Sequence, residues 1–396
     1  MRIVLGVTGG IAAYKATELI RGFKSLGHDV VVVPTQNALR FVGKATLEAL
    51  SGNPVSDDLY ENVESVQHVS IGQSADLIVV APATASFLAR YAGGFADDLL
   101  GNTLLATHAP VVVAPAMHSE MWQHAATVEN VATLRARGVH VIEPAVGALT
   151  SGDVGVGRLP DAQLIIREAL AALQPKDLQG VRILITAGGT RVALDPVRYI
   201  GNRSSGKQGI ALADAARARG AEVKLIAANI DAPSHLDAVS VVDNAELDRA
   251  LVSELSNSDV LIMAAAVSDF GIRQYSKKKI KRTDHNVELE LLPAEDLLAK
   301  YAGRTNSLSR RVFTVGFAAE SLNGDALVEA AKAKLLRKHC DLVAANDILE
   351  GNIFGSESTE IALVDANGLV ERVSGTKVEA ANVILDAIAA RIASNV

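Results

Sequence analysis

Short apolar runs alternate along the chain with longer segments whose apolar residues recur at helical spacing. Val30–Val33, Leu77–Ala81 and Val111–Ala114 are rich in β-branched residues, and each is followed by a proline. Such brief, almost wholly apolar runs are typical of buried parallel strands. Between the strands, Ile11–Leu26 places its apolar residues on one face of a helix. This alternation predicts an α/β protein with doubly wound sheets.

A polar segment, Gln174–Gly180, interrupts the alternation and predicts a linker. A predicted helix, Asp161–Leu173, precedes it, and a predicted strand, Val181–Thr186, follows it. Later elements are expected as strands near 223–227, 259–264, 312–317 and 341–345, an edge strand over 360–365, and a last helix over Lys377–Ile392. We therefore predict two doubly wound domains, residues 1–175 and residues 176–396.

Composition narrows the classes of function. The 396-residue chain has 38 basic and 45 acidic side chains and only 4% aromatic residues, which disfavours general nucleic-acid binding. Its 1 cysteine, Cys340, excludes an internal disulfide and a cysteine-rich zinc site and fits a reducing cytoplasm.

No apolar run approaches the roughly 18 residues of a membrane helix, and the Gly9–Gly10 break favours a first strand and turn over a signal peptide. We predict a cytoplasmic protein without nucleic-acid or membrane partners.

Both halves begin with a strand that ends in a glycine pair, Gly9–Gly10 and Gly188–Gly189. Glycines at this place let backbone amides approach a phosphate at a helix N-terminus. Neither pair belongs to a G-x-G-x-x-G motif, and Pro34–Gln36, which ends the second strand, lacks the acidic residue that would hold an NAD ribose. Nicotinamide binding is disfavoured, which leaves a phosphate site of another kind or two ordinary tight turns.

The segment Gly201–Lys207 has the spacing of a P-loop, but Gln208 stands where magnesium binding requires serine or threonine. A helix that opens after Ser204 and runs to about Arg219 still offers amides that favour an anion.

Five of the six residues in Lys277–Arg282 are cationic, and Asp269 lies ten residues before Lys279, at the end of an apolar strand. The alternatives are a solvated loop or a site for a nucleoside triphosphate with magnesium, which a carboxylate beside lysines would suit.

Motifs along the whole chain resemble a known family. The first half resembles flavin-dependent cysteine decarboxylases in Val7–Lys15, Ala81–Tyr91, Ala96–Leu100, Pro115–Met117, Met121–Trp122 and Gly152–Arg158. The second half adds matches in Ile185–Arg191, Asp195–Ile200, Asn202–Gly209, Ala264–Asp269, Lys279–Arg282, Val315–Glu320 and Ala344–Asp347. Together they resemble the bifunctional phosphopantothenoylcysteine decarboxylase / phosphopantothenate–cysteine ligase family of coenzyme A synthesis.

For the first half, the resemblance implies an FMN-binding flavoprotein domain. FMN would oxidise the substrate thiol, the resulting thioaldehyde would release CO2, and the enethiol would then be reduced. His68 matches the family's catalytic histidine. The residues that the resemblance places around FMN are Gly9, Gly10, Ile11, Thr35, Thr46, Thr84, Ser86 and Met117.

Two positions depart from the family's decarboxylase motifs. His118 replaces an asparagine that helps to hold the substrate carboxylate, and Ser151 replaces a cysteine of a mobile substrate clamp. A serine hydroxyl is a far weaker acid than a thiol, whose pKa is about 8.5. The domain could therefore bind FMN without turnover, oxidise and decarboxylate only, act on another substrate, or be an intact decarboxylase that uses compensating groups.

For the second half, the resemblance implies a Rossmann-like, nucleotide-dependent ligase domain that joins phosphopantothenate to cysteine through an acyl-cytidylate, with CTP and Mg2+. Asn202 would hold the acyl-nucleotide, and Lys279 would stabilise the transferred charge and support amine attack. Asp269, Lys279, Phe317, Lys334 and Lys338 would contact the nucleotide. Lys334 and Lys338 lie four residues apart, so both can reach one phosphate group.

The resemblance further implies a homo-oligomer, with trimers of the flavin domain and dimers of the ligase domain, and a dodecamer for the fused chain. Two other hypotheses are a related enzyme that joins a different carboxylate and amine, and a binding module whose first half is a scaffold without catalysis.

Overall fold

The computed structural model describes residues 1–59, 66–148, 154–281, 288–348, 355–356 and 358–393. These residues form two compact units, Met1–Gln174 and Pro175–Val396. None of the helices within the described ranges is both long and apolar enough to cross a membrane. Both units are α/β, which confirms the predicted fold class.

The first unit is built on a parallel sheet with the strand order β2-β1-β3-β4-β5. Its strands are β1 Arg2–Val7, β2 Asp29–Pro34, β3 Leu77–Ala83, β4 Val111–Pro115 and β5 His140–Val141. Successive residues of β1 pack on opposite faces of the sheet, since Ile3 and Leu5 belong to one hydrophobic cluster and Val4 belongs to another. Burial on both faces explains why the strands read as continuous apolar runs.

The helices of this unit cover both faces of the sheet. They are α1 Ala16–Ser25, α2 Lys44–Ser51, α3 Gln67–Gln73, α4 Ala85–Gly93, α5 Leu99–Leu105, α6 Ser119–Gln123, α7 Ala125–Ala136 and α8 Ala162–Ala171. A hairpin of β6 Ala145–Ala148 and β7 Val154–Arg158 lies apart from the main sheet.

The helix predicted over Ile11–Leu26 is divided in the structure. Ile11–Lys15 forms a 3-10 helix, and α1 follows it directly. Gly10 precedes the 3-10 turn in an extended conformation, so the chain leaves β1 through a tight connection, for which a 3-10 turn is a common solution.

The second unit has an eight-stranded sheet with the order β12-β11-β8-β13-β16-β17-β18-β19. Its strands are β8 Arg182–Gly188, β11 Glu222–Ala228, β12 Asp237–Val241, β13 Val260–Met263, β16 Phe313–Glu320, β17 Leu342–Asp347, β18 Ser358–Asp365 and β19 Gly368–Thr376. The strands are parallel from β12 to β17, whereas β18 and β19 are antiparallel additions.

The predicted edge position of 360–365 is wrong. The strand exists as β18, but β19 pairs with it and occupies the edge. Most residues of β19 are exposed, so this strand lacks the apolar run that marks a buried one.

Two small hairpins and five helices complete this unit within the described residues. The hairpins are β9 Arg191–Ala193 with β10 Tyr199–Gly201, and β14 Phe270–Ile272 with β15 Leu291–Pro293. The helices are α9 Lys207–Ala218, α10 Asn244–Leu255, α11 Leu297–Tyr301, α12 Gly324–Lys338 and α13 Lys377–Ala393.

Candidate functional sites

The first candidate site lies at the carboxyl ends of β1, β2 and β3. β1 pairs in parallel with both neighbours, and α/β sheets bind ligands at the carboxyl ends of strands where the chain connections diverge. Gly9 and Gly10 follow β1, Thr35 follows β2 and Thr84 follows β3. The fold thus brings four of the predicted FMN residues to one edge of the sheet.

Close packing at this edge requires glycine at position 9, whereas a Cβ on Gly10 would make only an ordinary contact with Thr84, at 3.4 Å. A Cβ on Gly9 would overlap the Cβ of Asn37, and it would lie 2.8 Å from the Asn37 carbonyl carbon. The Gly10 amide already donates to the Thr8 carbonyl at 3.0 Å. Ile11 is 60% exposed at the start of the 3-10 helix, so the turn opens to solvent directly after the glycines.

The threonines at this edge are fixed by local hydrogen bonds. Thr84 caps α4 by accepting from the Phe87 amide at 3.3 Å, and Thr35 accepts from the Ala38 amide at 3.3 Å. A hydroxyl that accepts a bond keeps its own O–H to donate, so both can offer a proton to a phosphate.

Sequence reasoning missed Thr8. Its buried hydroxyl donates to the Pro82 carbonyl at 2.7 Å and accepts from the Thr84 amide at 3.0 Å, which ties the ends of β1 and β3 together. Thr46 on α2 and Ser86 in the first turn of α4 are exposed.

His118 and Met117 lie where the β6–β7 hairpin docks. The Met117 amide donates to the Gly157 carbonyl at 3.0 Å, and the Ser119 hydroxyl donates to the Val156 carbonyl at 2.7 Å. The Nδ1 atom of His118 contacts the Glu120 carboxylate. Backbone hydrogen bonding and the His118 side chain lower the pKa of Glu120.

Ser151 lies outside the described residues, as do the rest of 149–153. The described strands on either side of that gap, β6 and β7, pair with each other, and β7 lies against the segment that carries His118.

His68 is half-buried near the start of α3. The Thr107 hydroxyl donates to the Gly72 carbonyl at 2.8 Å and holds α3 beside the end of α5. Because α3 precedes β3 and connecting helices run antiparallel to the strands of a parallel sheet, we expect its first turn to lie at the carboxyl edge.

We expect Gly157→Ala to release the β6–β7 hairpin. A Cβ at this position would overlap the Met117 carbonyl oxygen, which is backbone and cannot move aside. A strain of about 1 kcal/mol would raise the population of the undocked hairpin roughly 5-fold. Limited trypsin digestion at Arg158 should therefore become faster.

Gly147→Ala is the matched control in the same hairpin, because its new Cβ would meet only the flexible Arg158 side chain, at 3.3 Å. Equal digestion rates for the two variants would contradict the docking role of Gly157.

The second unit contains a cleft of about 630 Å3. Its walls are the segment after β13, residues of β16, the first turn of α9, the start of α11 and the last turns of α12. The cleft brings together five residues that the sequence singled out, Asn202, Asp269, Phe317, Lys334 and Lys338. Lys279 is exposed and is not among the lining residues.

Glycines let α9 begin close to the sheet. Gly188 has φ +86° and Gly206 has φ +73°, a conformation that glycine adopts without strain. A Cβ on Gly209 would lie 2.5 Å from the Ala187 Cβ. The first turn of α9 can therefore reach the end of β8 and present its amides there.

Asn202 follows β10 directly, and its side-chain amide donates to the Val267 carbonyl at 3.0 Å. Ser268, which follows Val267 in the cleft wall, donates its backbone amide to the Thr190 hydroxyl at 2.8 Å. These bonds join the glycine turn, the β9–β10 hairpin and the segment that ends at Asp269. A polar amide is thus held at the margin of the cleft.

The two lysines of α12 have different surroundings. Lys338 forms an ion pair with Asp296, which also caps α11 by accepting from the Ala299 amide at 3.1 Å. Burial lowers the pKa of Lys334, against the opposite effect of Glu320 and Asp269. Sequence reasoning did not select Asp296.

If CTP binds in this cleft, as the resemblance implies, its affinity should decrease as the pH rises toward the lowered pKa of Lys334. Below that pKa the ammonium is charged and attracts phosphate, and above it one charge is lost. A hydrogen bond to a charged group is worth about 1.5–3 kcal/mol, which corresponds to about 10-fold or more in Kd. Lys334→Arg should keep its affinity at high pH, because arginine stays protonated.

Calorimetric titrations with CTP at increasing pH would measure this effect. Lys332→Arg, on the same helix but outside the cleft lining, should keep the profile of the unsubstituted protein. A flat profile for that protein would contradict the role given to Lys334.

No group of three or more His, Cys, Asp or Glu side chains suited to a metal occurs in the described part of the chain. Arg282, the last cation of the predicted basic run, lies outside it.

Two family models together match almost all of the chain. The model described as Flavoprotein matches residues 1–174, and the model described as DNA/pantothenate metabolism flavoprotein C-terminal domain matches residues 178–392. The chain is 49% identical over 401 residues to the coenzyme A biosynthesis bifunctional protein CoaBC of Mycobacterium tuberculosis strain H37Rv, covering 98% of this chain and 96% of that one. It is 41% identical over 374 residues to the protein of the same name from Vibrio vulnificus strain CMCP6, covering 93% and 92%.

Solved structures are similar to each half. The crystal structure of the C-terminal domain of CoaBC has 31% sequence identity and a TM-score of 0.45, and covers 55% of this chain and 99% of that one. The FMN-dependent cysteine decarboxylase SpaF has 32% identity and a TM-score of 0.40, and covers 44% and 97%.

Proposed function

This chain belongs to the family of bifunctional coenzyme A biosynthesis proteins, which combine a flavoprotein decarboxylase domain with a ligase domain, and from that premise we propose that its second unit joins 4′-phosphopantothenate to cysteine at the expense of CTP. The observation that carries the proposal is the grouping of Asn202, Asp269, Phe317, Lys334 and Lys338 around one cleft.

The proposed reaction has two steps. The substrate carboxylate attacks the α-phosphorus of CTP, the bond to the bridging oxygen breaks, and pyrophosphate leaves. The amine of cysteine then attacks the acyl carbon of the acyl-cytidylate, CMP leaves, and the amine gives up a proton. Negative charge concentrates on the phosphate oxygens in the first step, so fixed cations lower its barrier.

Four of the five cleft residues have a role in this proposal. Lys334 and Lys338 neutralise the phosphates, and the partial burial of Lys334 strengthens its attraction for them. Asn202, held by Val267, binds the acyl-nucleotide. Asp269 would hold Mg2+, which proteins bind through one or two carboxylates together with substrate phosphates, and Asp296, which also lines the cleft, holds Lys338.

We propose that the first unit binds FMN at the carboxyl edge of its sheet. The turn at Gly9 and Gly10, which opens to solvent at Ile11, would receive the phosphate, and Thr35 and Thr84 can donate O–H bonds to it. Bound FMN would supply oxidation of the substrate thiol. His68 would act there as a base, because an imidazole accepts a proton near neutral pH.

We also propose that the decarboxylase reaction of this unit is impaired or altered. His118 contacts Glu120. A substrate carboxylate would therefore compete with the Glu120 carboxylate for the His118 imidazole. The serine at position 151 supplies a poor acid for protonating the enethiol. Both departures affect the substrate rather than FMN, so flavin binding should persist.

One incubation tests both halves. Purified protein is mixed with phosphopantothenate, cysteine, CTP and Mg2+, and the products are identified by mass spectrometry. Phosphopantothenoylcysteine alone supports an active ligase beside a silent flavin unit. A product lighter by CO2 and two hydrogens indicates oxidation without reduction. Complete conversion to phosphopantetheine contradicts the impairment, and absence of ligation contradicts the proposed ligase function.

The double variant His118→Asn, Ser151→Cys provides a matched comparison, because it restores both residues of the family's motifs. If the departures limit the flavin unit, this variant should make more phosphopantetheine than the unsubstituted protein does. An unchanged product ratio would exclude them as the cause.

We propose a cytoplasmic homo-oligomer, with trimers of the first unit, dimers of the second and a dodecamer overall. Large apolar side chains such as Phe95, Leu105, Phe270 and Leu291 are exposed in the single chain, and association would cover such residues. Light scattering would give the mass of the assembly.

A further inference from the structure

Asp195 lies in the turn between β9 and β10, and its carboxylate is completely buried. One oxygen accepts from the amides of Val197 and Arg198, each at 2.7 Å. The other accepts from the Ile280 amide at 3.0 Å and from the Arg198 guanidinium at 2.9 Å. Four donors satisfy this buried charge, and one of them comes from a segment 85 residues away.

That segment, residues 276–281, is called here the lysine strap. Its first residue, Ser276, donates its amide to the Leu194 carbonyl at 3.0 Å. Near its other end, the Ile280 carbonyl accepts from Arg198 at 2.8 Å. The strap is therefore fastened at both ends to the turn that contains Asp195.

The fastening uses backbone groups of the strap. Between the two ends, Lys277, Lys278 and Lys279 are exposed, and the contacts that hold the strap among the described residues involve none of their ammonium groups. Three adjacent cations repel one another, so an unfastened strap would spread into solvent. Fastened by its backbone, it keeps its charges available for phosphate.

The same hairpin carries Asn202. β10 ends at Gly201, and Asn202 follows directly and bonds to Val267. One short hairpin thus holds the strap at its turn and Asn202 at its end. The position of Lys279 relative to Asn202 depends on the bonds at Asp195.

We propose that Asp195 is a positioning residue for ligation, which acts by fastening the lysine strap so that Lys279 keeps a fixed place relative to Asn202. The inference rests on the proposed function and assigns Asp195 no contact with substrate. A reacting group displaced by about 1 Å can lose about 100-fold in rate, so loosening the strap should slow the step that releases pyrophosphate.

The direct test is Asp195→Asn. We expect pyrophosphate release to slow about 10- to 100-fold, in line with loss of alignment. The Kd for CTP should change by less than the rate does, because Lys334 and Lys338 lie in the cleft and not on the strap. A merely structural defect would weaken binding and turnover together.

Ile280→Pro loosens the strap from the other side, in case Asp195→Asn fails to fold. It removes one amide donor and leaves Asp195 its bonds to Val197 and Arg198. Ile280→Ala, which keeps the amide, is the control and should retain the rate of the unsubstituted protein. Full activity of Ile280→Pro would overturn the proposal.

A double-variant cycle tests whether Asp195 acts through Lys279. In a Lys279→Gln background, the substitution Asp195→Asn should add little further loss of rate, because the group that Asp195 positions is already absent. Additive losses would overturn the inference. If the unsubstituted protein forms no ligation product, the proposed function fails; if it is active and the variants match it, only this inference fails.

Discussion

Replacing Asn202 with alanine is expected to slow ligation about 100- to 1,000-fold, the range seen when one preorganised hydrogen-bonding group is removed from a reacting centre. Asn202 lines the cleft, and its bond to the Val267 carbonyl fixes the side chain before substrate arrives. The loss should appear in kcat, with the Kd for CTP nearly unchanged, because the cations of α12 remain. Pyrophosphate release and direct titration with CTP would measure the two quantities.

Asn244 offers a matched control for this variant. Its side-chain amide donates to the carbonyl of the next residue in the same wall, Ser268, at 2.9 Å, but Asn244 does not line the cleft. Asn244→Ala should therefore remove a comparable bond at little cost in rate. Similar losses in both variants would mean that Asn202 serves the fold and not the reaction.

Replacing Arg219 with alanine is expected to destabilise the second unit by about 1.5–3 kcal/mol, the worth of a hydrogen bond to a charged group, because its partners Asp177 and Asp386 are partly exposed and stay solvated. Arg219 is 2% exposed. Its guanidinium binds both carboxylate oxygens of Asp177 and reaches Asp386 at 2.6 Å. Chemical denaturation followed by far-ultraviolet circular dichroism would measure the loss.

Two controls test whether the destabilisation is confined to the second unit and whether it depends on the burial of Arg219. The only tryptophan, Trp122, lies in the first unit, so the transition seen by tryptophan fluorescence should move less than the one seen by dichroism. Arg372→Ala removes an exposed pair with Asp325 and should cost at most about 1 kcal/mol. Equal shifts for the two arginine variants would contradict the buried role of Arg219.

The same pair makes stability depend on pH. The hydrogen bond from Arg219 holds the pKa of Asp177 below its ordinary 3.8. A carboxylate whose pKa is lowered by folding stabilises the protein fully above the ordinary pKa, and this contribution disappears as the pH falls through the lowered value. The difference in stability between the unsubstituted protein and Arg219→Ala should thus shrink below about pH 3.8.

Much of the architecture could be predicted because burial leaves a regular trace in sequence. Parallel strands such as Val111–Pro115 are buried on both faces and are therefore apolar throughout. The family that the sequence motifs suggested is confirmed by relatives that cover nearly the whole chain. β19 escaped prediction because its side chains are mostly exposed, so its pairing with β18 has no apolar signature.

The site was predictable where residues occur in motifs and unpredictable where single residues act across the fold. Asn202 and Asp269 stand in recognisable runs, and they meet at one cleft. Asp296 and Arg219 are isolated charged residues whose partners lie far away in sequence, and Asp195, although it stands in a matched motif, has one donor 85 residues away. Only the folded chain reveals such pairs, since no spacing rule connects them.

The ion pair between Asp177 and Arg219 also determines at which residue a fragment of the second unit should begin. The region recognised as the C-terminal family begins at residue 178, but the carboxylate that holds a buried arginine of that region lies one residue earlier. A fragment that starts at Leu178 would carry Arg219 without this partner, whereas one that starts at Pro175 would keep it. Two fragments that differ by three residues should therefore differ in yield and in resistance to proteolysis.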